Sequence, residues 1–159
     1  CQEFAKINRR IIQSTICYYM CWEVTKETER FQTIHNYIEY DTNIVRKGAI
    51  SAKTGEKVLI PINMRDGCIL GIGKGNEDWN YSAPHGAGRT MSRSKAKESI
   101  LLEEYQKAMD GIFTTSVNTS TIDESPMAYK TMDEIIGNIK DTVEIVDIIK
   151  PIYNFKANE

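Results

Sequence analysis

The sequence predicts an α+β fold, a mixed β-sheet core flanked by helices. Three observations carry this. Apolar residues recur at helical spacing near the start and again after Met91. Short alternating segments rich in β-formers fill the stretch from Thr33 to Ile72. A further apolar run, Thr142 to Ile149, follows a short helical pattern. Helical and strand periods differ (3.6 against 2), so the two signals separate along the chain.

Residues 2–31 read as one helix. Phe4, Ile7, Ile11, Ile12, Ile16, Tyr19 and Met20 form an apolar face that asks for core packing, with Arg9, Arg10, Glu23, Lys26 and Glu27 mostly off it. Thr33–Tyr40 alternates as a strand. Ile44–Ile50 reads as a second strand carrying the basic pair Arg46-Lys47. Lys53-Thr54-Gly55-Glu56 is a hairpin turn with Lys57–Ile62 returning. Cys68–Ile72 is a buried strand, and Gly71–Asn76 a flexible glycine loop. A Walker A pattern is excluded there, because Gly75 follows Lys74 where Ser or Thr is needed. Met91–Met109 is a helix stopped by Gly111. Ile112–Thr115 is a candidate strand. Thr131–Ile139 is a helix with Thr131 and Glu134 as a capping box. Thr142–Ile149 is a strand, and Pro151–Lys156 alternates again.

With 159 residues, 41% hydrophobic and 26% charged, the chain suits one globular domain. A formal net charge of −2 excludes a protein that coats nucleic acid by bulk charge, so any such contact must be local. The four cysteines show neither a disulfide framework nor zinc spacing and are expected as reduced, cytosolic thiols. No apolar run spans a membrane and no signal peptide is visible, so a cytoplasmic location without membrane contact is expected. The first residue is Cys rather than Met, which reads as a fragment or processed chain.

Chemistry concentrates between Ser82 and Arg93. His85, one of two histidines, precedes Gly86-Ala87-Gly88-Arg89 and leads into a helical run. Small residues let a ligand approach the backbone, a helix start offers free N–H groups, and arginines give forked donors. The expectation is a nucleophile beside a phosphate cradle, with Arg46, Lys47 and Arg89 as candidate phosphate or RNA contacts. The other histidine, His35, gains interest if it lies near His85.

Six motifs occur here in one order: Phe31-x-x-x-His35-Asn36-Tyr37; Val45-Arg46-Lys47-Gly48-Ala49; Ile60-Pro61-x-x-Met64; Ser82-x-x-His85-Gly86-Ala87-Gly88-Arg89-x-Met91-Ser92-Arg93; Asp123-Glu124-x-Pro126-x-Ala128-Tyr129-Lys130; and Pro151-x-x-x-x-Lys156. Together they resemble the C-terminal part of the RtcB-type RNA ligases, from about Phe4 to Lys156. The resemblance implies an enzyme that uses GTP and Mn²⁺ to join an RNA 3′-phosphate or 2′,3′-cyclic phosphate to a 5′-hydroxyl. It implies that His85 becomes guanylylated and that His35 is a manganese ligand. Asn36, Pro61, Ile62, Asn63, Met64, Cys68, Gly86, Ala87, Gly88 and Tyr129 would line the nucleotide site, with Lys156 on the guanine. Broken RNA ends such as tRNA halves, GTP and an accessory activating protein are the implied partners.

Two departures stand out. The family commonly reads Pro-Gly-Ser-Met-Gly where this chain has Pro61-Ile62-Asn63-Met64-Arg65, and Cys68 stands where a serine is usual. The family's other metal ligands match positions upstream of Cys1, so residues 1–159 are expected to be a single C-terminal portion of the catalytic domain. Two alternatives therefore stand beside the ligase: a non-catalytic nucleotide- or RNA-end-binding module, and an RNA-repair nucleotidyltransferase of altered specificity.

Overall fold

The structure, a computed structural model, describes residues 2–25 and 30–156. It forms two compact units, Cys1–Gln32 and Thr33–Glu159. In the first, helix α1 spans Gln2–Tyr19 and buries none of its residues. It stops well before residue 31. Cys21 adopts φ 53, Cys21 N–H bonds Tyr18 O at 3.2 Å and Trp22 N–H bonds Cys17 O at 2.9 Å. This is a Schellman closure with cysteine at the left-handed position, where glycine is the usual signal. The apolar face of Phe4, Ile7, Ile11 and Ile16 is exposed rather than packed. Lys26 and Glu27 lie outside the described residues.

The second unit is α+β. Its strands and helices are β1 (Tyr37–Glu39), β2 (Ile44–Arg46), β3 (Ala49–Ser51), β4 (Lys57–Asn63), β5 (Gly67–Gly73), β6 (Ser82–Pro84), α2 (Arg93–Ser99), α3 (Leu102–Ala108), α4 (Met132–Ile139) and β7 (Val143–Ile149). They build three antiparallel sheets, β1-β2, β3-β6 and β4-β5-β7. A parallel pairing occurs at the isolated bridge Thr114–Asn154.

Several expected elements are shorter or divided. Thr33–Tyr40 keeps only β1, because Asn36 at φ 58 interrupts the extended run. Ile44–Ile50 is two strands in different sheets, separated by Gly48 at φ 69. The turn at Lys53–Glu56 forms, with Gly55 at φ 78, but β3 and β4 enter different sheets and make no hairpin. Gly71 and Gly73 belong to β5 rather than to a flexible loop. A Cβ on Gly73 would stand 2.4 Å from the Ala52 carbonyl carbon, so β5 passes too close to the chain after β3 for any side chain. The helix expected over 91–109 is broken at Ile100 and Leu101, both extended. Ile100 turns into the core at 7% exposure, and Glu104 accepts the Leu101 N–H at 3.3 Å to restart the helix. Ile112–Thr115 and Pro151–Lys156 form no strand beyond the Thr114–Asn154 bridge.

The core has two parts. Alternate residues Val58, Ile60 and Ile62 of β4 pack with Ile69 of β5 and with Ile135 and Ile139 of α4. Each such buried side chain contributes roughly 2 kcal/mol. Met64, Ala96, Ile100, Tyr105 and Met109 form a second cluster under α2 and α3. Tyr129 packs against both. The Thr131 hydroxyl caps α4 by accepting the Glu134 N–H, as expected. No helix of the described residues is long and apolar enough to cross a membrane.

Candidate functional site

One cleft of about 670 Å³ gathers most of the predicted site residues. Its walls hold Pro61, Ile62, Asn63, Met64, Cys68, His85, Gly86, Ala87, Gly88, Tyr129 and Lys156, drawn from positions nearly a hundred residues apart. A ligand of nucleotide size fits that volume.

The His85 loop is fixed from both sides. Ala83 and Ala87 are each 4% exposed and anchor it in the core, and Ala87 N–H bonds Pro61 O at 3.1 Å. His85 Nδ1 lies 2.6 Å from Gly48 O. A carbonyl only accepts, so Nδ1 carries the proton and a lone pair for attack belongs on Nε2. Gly48 is itself held, since Asn36 Oδ1 accepts its N–H at 2.8 Å. Asn36, Gly48 and His85 thus form a relay that sets ring orientation and tautomer. The His35 ring lies 4.8 Å from that of His85, tilted 34°. The two histidines, 50 residues apart, do meet. His35 and Asn36 stand at this junction rather than on the cleft wall itself.

The expected phosphate cradle does not coincide with a helix start. Helix α2 begins only at Arg93, and Ser92 Oγ accepts the Lys95 N–H at 3.2 Å as its own cap. Among the described residues, Gly86 and Gly88 N–H have no intramolecular acceptor. Gly88 at φ 73 has open space where a Cβ would be, so this backbone faces outward without obstruction.

The cations differ sharply. Arg46 is 2% exposed and has its N–H groups committed: to Ser82 Oγ, Tyr37 Oη, Glu39 and the carbonyls of Asn80 and Tyr81. It is a framework residue, and the expectation that it meets phosphate is corrected. Lys53 also bonds Glu39. The Lys53 and Arg46 contacts hold the Glu39 carboxyl down at about 2. Lys47 is exposed. Arg89 lines the cleft, but it donates to Met91 O, Tyr129 Oη and Asp123 O, and stacks over the Tyr129 ring at 4.9 Å. Its donors orient Tyr129 before they meet any ligand.

Two departures from the family pattern acquire a local explanation. The Asn63 side chain closes its own turn, accepting from Arg65 N–H and Asp66 N–H and donating to Asp66 Oδ2. Its amide therefore serves the turn, although the residue lines the cleft. Burial raises the Cys68 thiol, so it is a protonated, half-buried wall rather than a thiolate.

Sequence reasoning missed Glu124 and Asn154, and counted Arg93 only as a forked donor of the His85 stretch. Glu124 lies in the cleft between Lys156 Nζ at 3.1 Å, Tyr129 Oη at 2.9 Å and Arg93 Nη1 at 3.2 Å. Asn154 Nδ2 donates to Met64 O at 2.6 Å, tying the last segment to the end of β4. Glu124 stood in a quoted motif, yet only the fold brings Lys156 to it. Burial works against ionisation of Glu124. Lys156, Tyr129 and Arg93 outweigh it, leaving the carboxyl below its usual value. Burial and then Glu124 push the Tyr129 phenol up to about 12.

An α+β domain with a tautomer-fixed histidine on a nucleotide-sized cleft has counterparts among known proteins. The family model described as tRNA-splicing ligase RtcB matches residues 1–157. The RNA-splicing ligase RtcB of Escherichia coli K12 is 31% identical over 170 aligned residues, covering 98% of this chain and 41% of that protein. The tRNA-splicing ligase RtcB of Aeropyrum pernix is 41% identical over 86 residues, covering 51% of this chain and 18% of that protein. The chain belongs to the RtcB family. It spans about two fifths of the length of the Escherichia coli relative.

Proposed function

We propose that this chain carries the guanylate-accepting part of an RNA ligase that joins 3′-phosphate or 2′,3′-cyclic phosphate ends to 5′-hydroxyl ends. The observation that carries the reading is the 2.6 Å contact of His85 Nδ1 with Gly48 O, on a cleft that also holds Tyr129 and Lys156. With Nδ1 protonated, Nε2 attacks the α-phosphorus of GTP. A bond forms between Nε2 and phosphorus, pyrophosphate leaves with the electron pair, and the positive charge on the ring is offset by Gly48 O. Guanylate then passes to the RNA 3′-phosphate, and the 5′-hydroxyl displaces it.

The residues suit the tasks. The Gly86 and Gly88 N–H groups, without an intramolecular acceptor among the described residues, are available to phosphate oxygens. Tyr129, held by Arg89 and Glu124, offers a rigid face to a base. Lys156 supplies an ammonium at the far end. Manganese would add Lewis-acid charge at the phosphate. His35 can give it one imidazole, but among the described residues no three His, Cys, Asp or Glu side chains converge. This chain's described residues do not by themselves make up that site.

The test is ligation by the full-length protein of two RNA strands, one ending in 3′-phosphate and one beginning with 5′-hydroxyl, with GTP and Mn²⁺. Product that disappears in His85→Ala supports the reading. No product, or product independent of His85, overturns it.

A further inference from the structure

The cleft wall carries one carboxylate, Glu124, that takes no part in the attack at His85, and four side chains converge on it. Glu124 ends a 3₁₀ turn over Thr119–Glu124 and its side chain is 15% exposed. Its two oxygens divide the work. Oε1 faces the guanidinium groups, with Arg93 Nη1 at 3.2 Å and Arg89 Nη1 at 3.8 Å. Oε2 takes Lys156 Nζ at 3.1 Å and the Tyr129 hydroxyl at 2.9 Å.

Arg93 and Arg89 have other acceptors. Arg93 bonds Asp123 Oδ2 at 2.7 Å, and Arg89 bonds Asp123 O. The Lys156 ammonium has Glu124 as its ion-pair partner, and the Lys156 backbone N–H bonds Ser116 Oγ at 2.8 Å. Lys156 is thus held at backbone and tip. A lysine side chain loses much rotamer freedom when ordered, and a partner that orders it beforehand removes that cost from binding. An ammonium has three donors, so those not used on Glu124 remain for a ligand.

We infer that Glu124 is the positioning residue of the nucleotide site, acting through Lys156 and Tyr129 rather than by touching the phosphate chemistry at His85. This rests on the reading of the cleft as a guanylate site. It assigns nucleotide affinity to Glu124 and leaves the attack step to His85.

The test is GMP binding by calorimetry in the full-length protein, for wild type, Glu124→Gln, Lys156→Ala and the double variant, with thermal midpoints measured alongside. Glu124→Gln weakens GMP about tenfold, the scale of losing one charged hydrogen-bond partner. Lys156→Ala weakens it at least as much, and Glu124→Gln costs less affinity in the Lys156→Ala background than in wild type, the remainder being its contact with Tyr129. In guanylylation, KM for GTP rises while kcat holds within about twofold. Glu124→Asp keeps the charge and shortens the reach, so it gives an intermediate loss and serves if Glu124→Gln does not fold. Equal losses from Glu124→Gln with and without Lys156 would mean a merely structural role and overturn the inference. Wild type that binds GMP, weakened by Lys156→Ala but not by either Glu124 variant, also overturns it. No binding by wild type at millimolar GMP removes the guanylate reading and this inference with it.

Discussion

Replacing Arg46 by Met tests whether the cleft rests on a buried ionic framework. The substitution keeps an apolar stem and deletes a guanidinium that is 2% exposed. It leaves Glu39, whose side chain is 18% exposed, with Lys53 and the Thr42 hydroxyl, and takes a donor from Ser82 Oγ, Tyr37 Oη and the Asn80 carbonyl. Breaking a buried pair costs about 3–5 kcal/mol. The partial exposure of Glu39 favours the lower end, so the expected loss is about 3 kcal/mol. For a domain of this size that lowers the thermal midpoint by roughly 10 °C. Urea unfolding followed by circular dichroism measures it, with the exposed neighbour Lys47→Met as control, expected within about 0.5 kcal/mol of wild type. An Arg46→Met variant as stable as the control, yet weaker in nucleotide binding, would refute the framework argument and restore Arg46 as a phosphate contact.

The same cluster fixes an acid response. Glu39 is held at about 2 against an ordinary 4.5, first by Lys53 and then by Arg46. A depressed carboxylate stabilises the fold above its unfolded value, and that stability is lost as pH falls from 4.5 toward 2. Urea midpoints should therefore fall over that window, and the fall should flatten in Glu39→Gln; an equal fall in both would contradict the assignment. Asp66, lowered mainly by Arg65, acts in the same direction. Asn36→Ala removes the acceptor for Gly48 N–H and places alanine at φ 58, together costing about 2 kcal/mol locally. It should slow guanylylation more than it weakens GMP binding, while Asn36→Asp, which keeps an acceptor, should retain the rate. Equal loss of rate and affinity would instead make Asn36 a direct nucleotide contact.

Much of the cleft was legible because its residues are chemically distinctive and occur in ordered motifs. His35 and His85 could be paired in advance since the chain has no other histidine. Strands β4, β5 and β7 and helix α4 were legible from period and capping, which are local properties. What escaped depends on distant partners or unusual backbone. Arg46 reads as a candidate phosphate contact on a strand until Asn80, Tyr81 and Ser82 arrive from more than thirty residues away. The end of α1 was hidden because cysteine, not glycine, takes the left-handed position. The break at Ile100 is a packing decision, since Ile100 suits a helix equally well in sequence. Glu124 gains its role only when the final segment returns Lys156 to it.

Covalent guanylylation of His85 tests the central claim most directly. The full-length protein is incubated with Mn²⁺ and GTP labelled at the α-phosphate, digested, and the modified peptide mapped by mass. The geometry predicts an acid-labile GMP adduct on the peptide carrying His85, on Nε2, absent from His85→Gln and present in His35→Gln if its folding is intact and metal is supplied in excess. An adduct on any other residue, or none with active nucleotide binding, would contradict it.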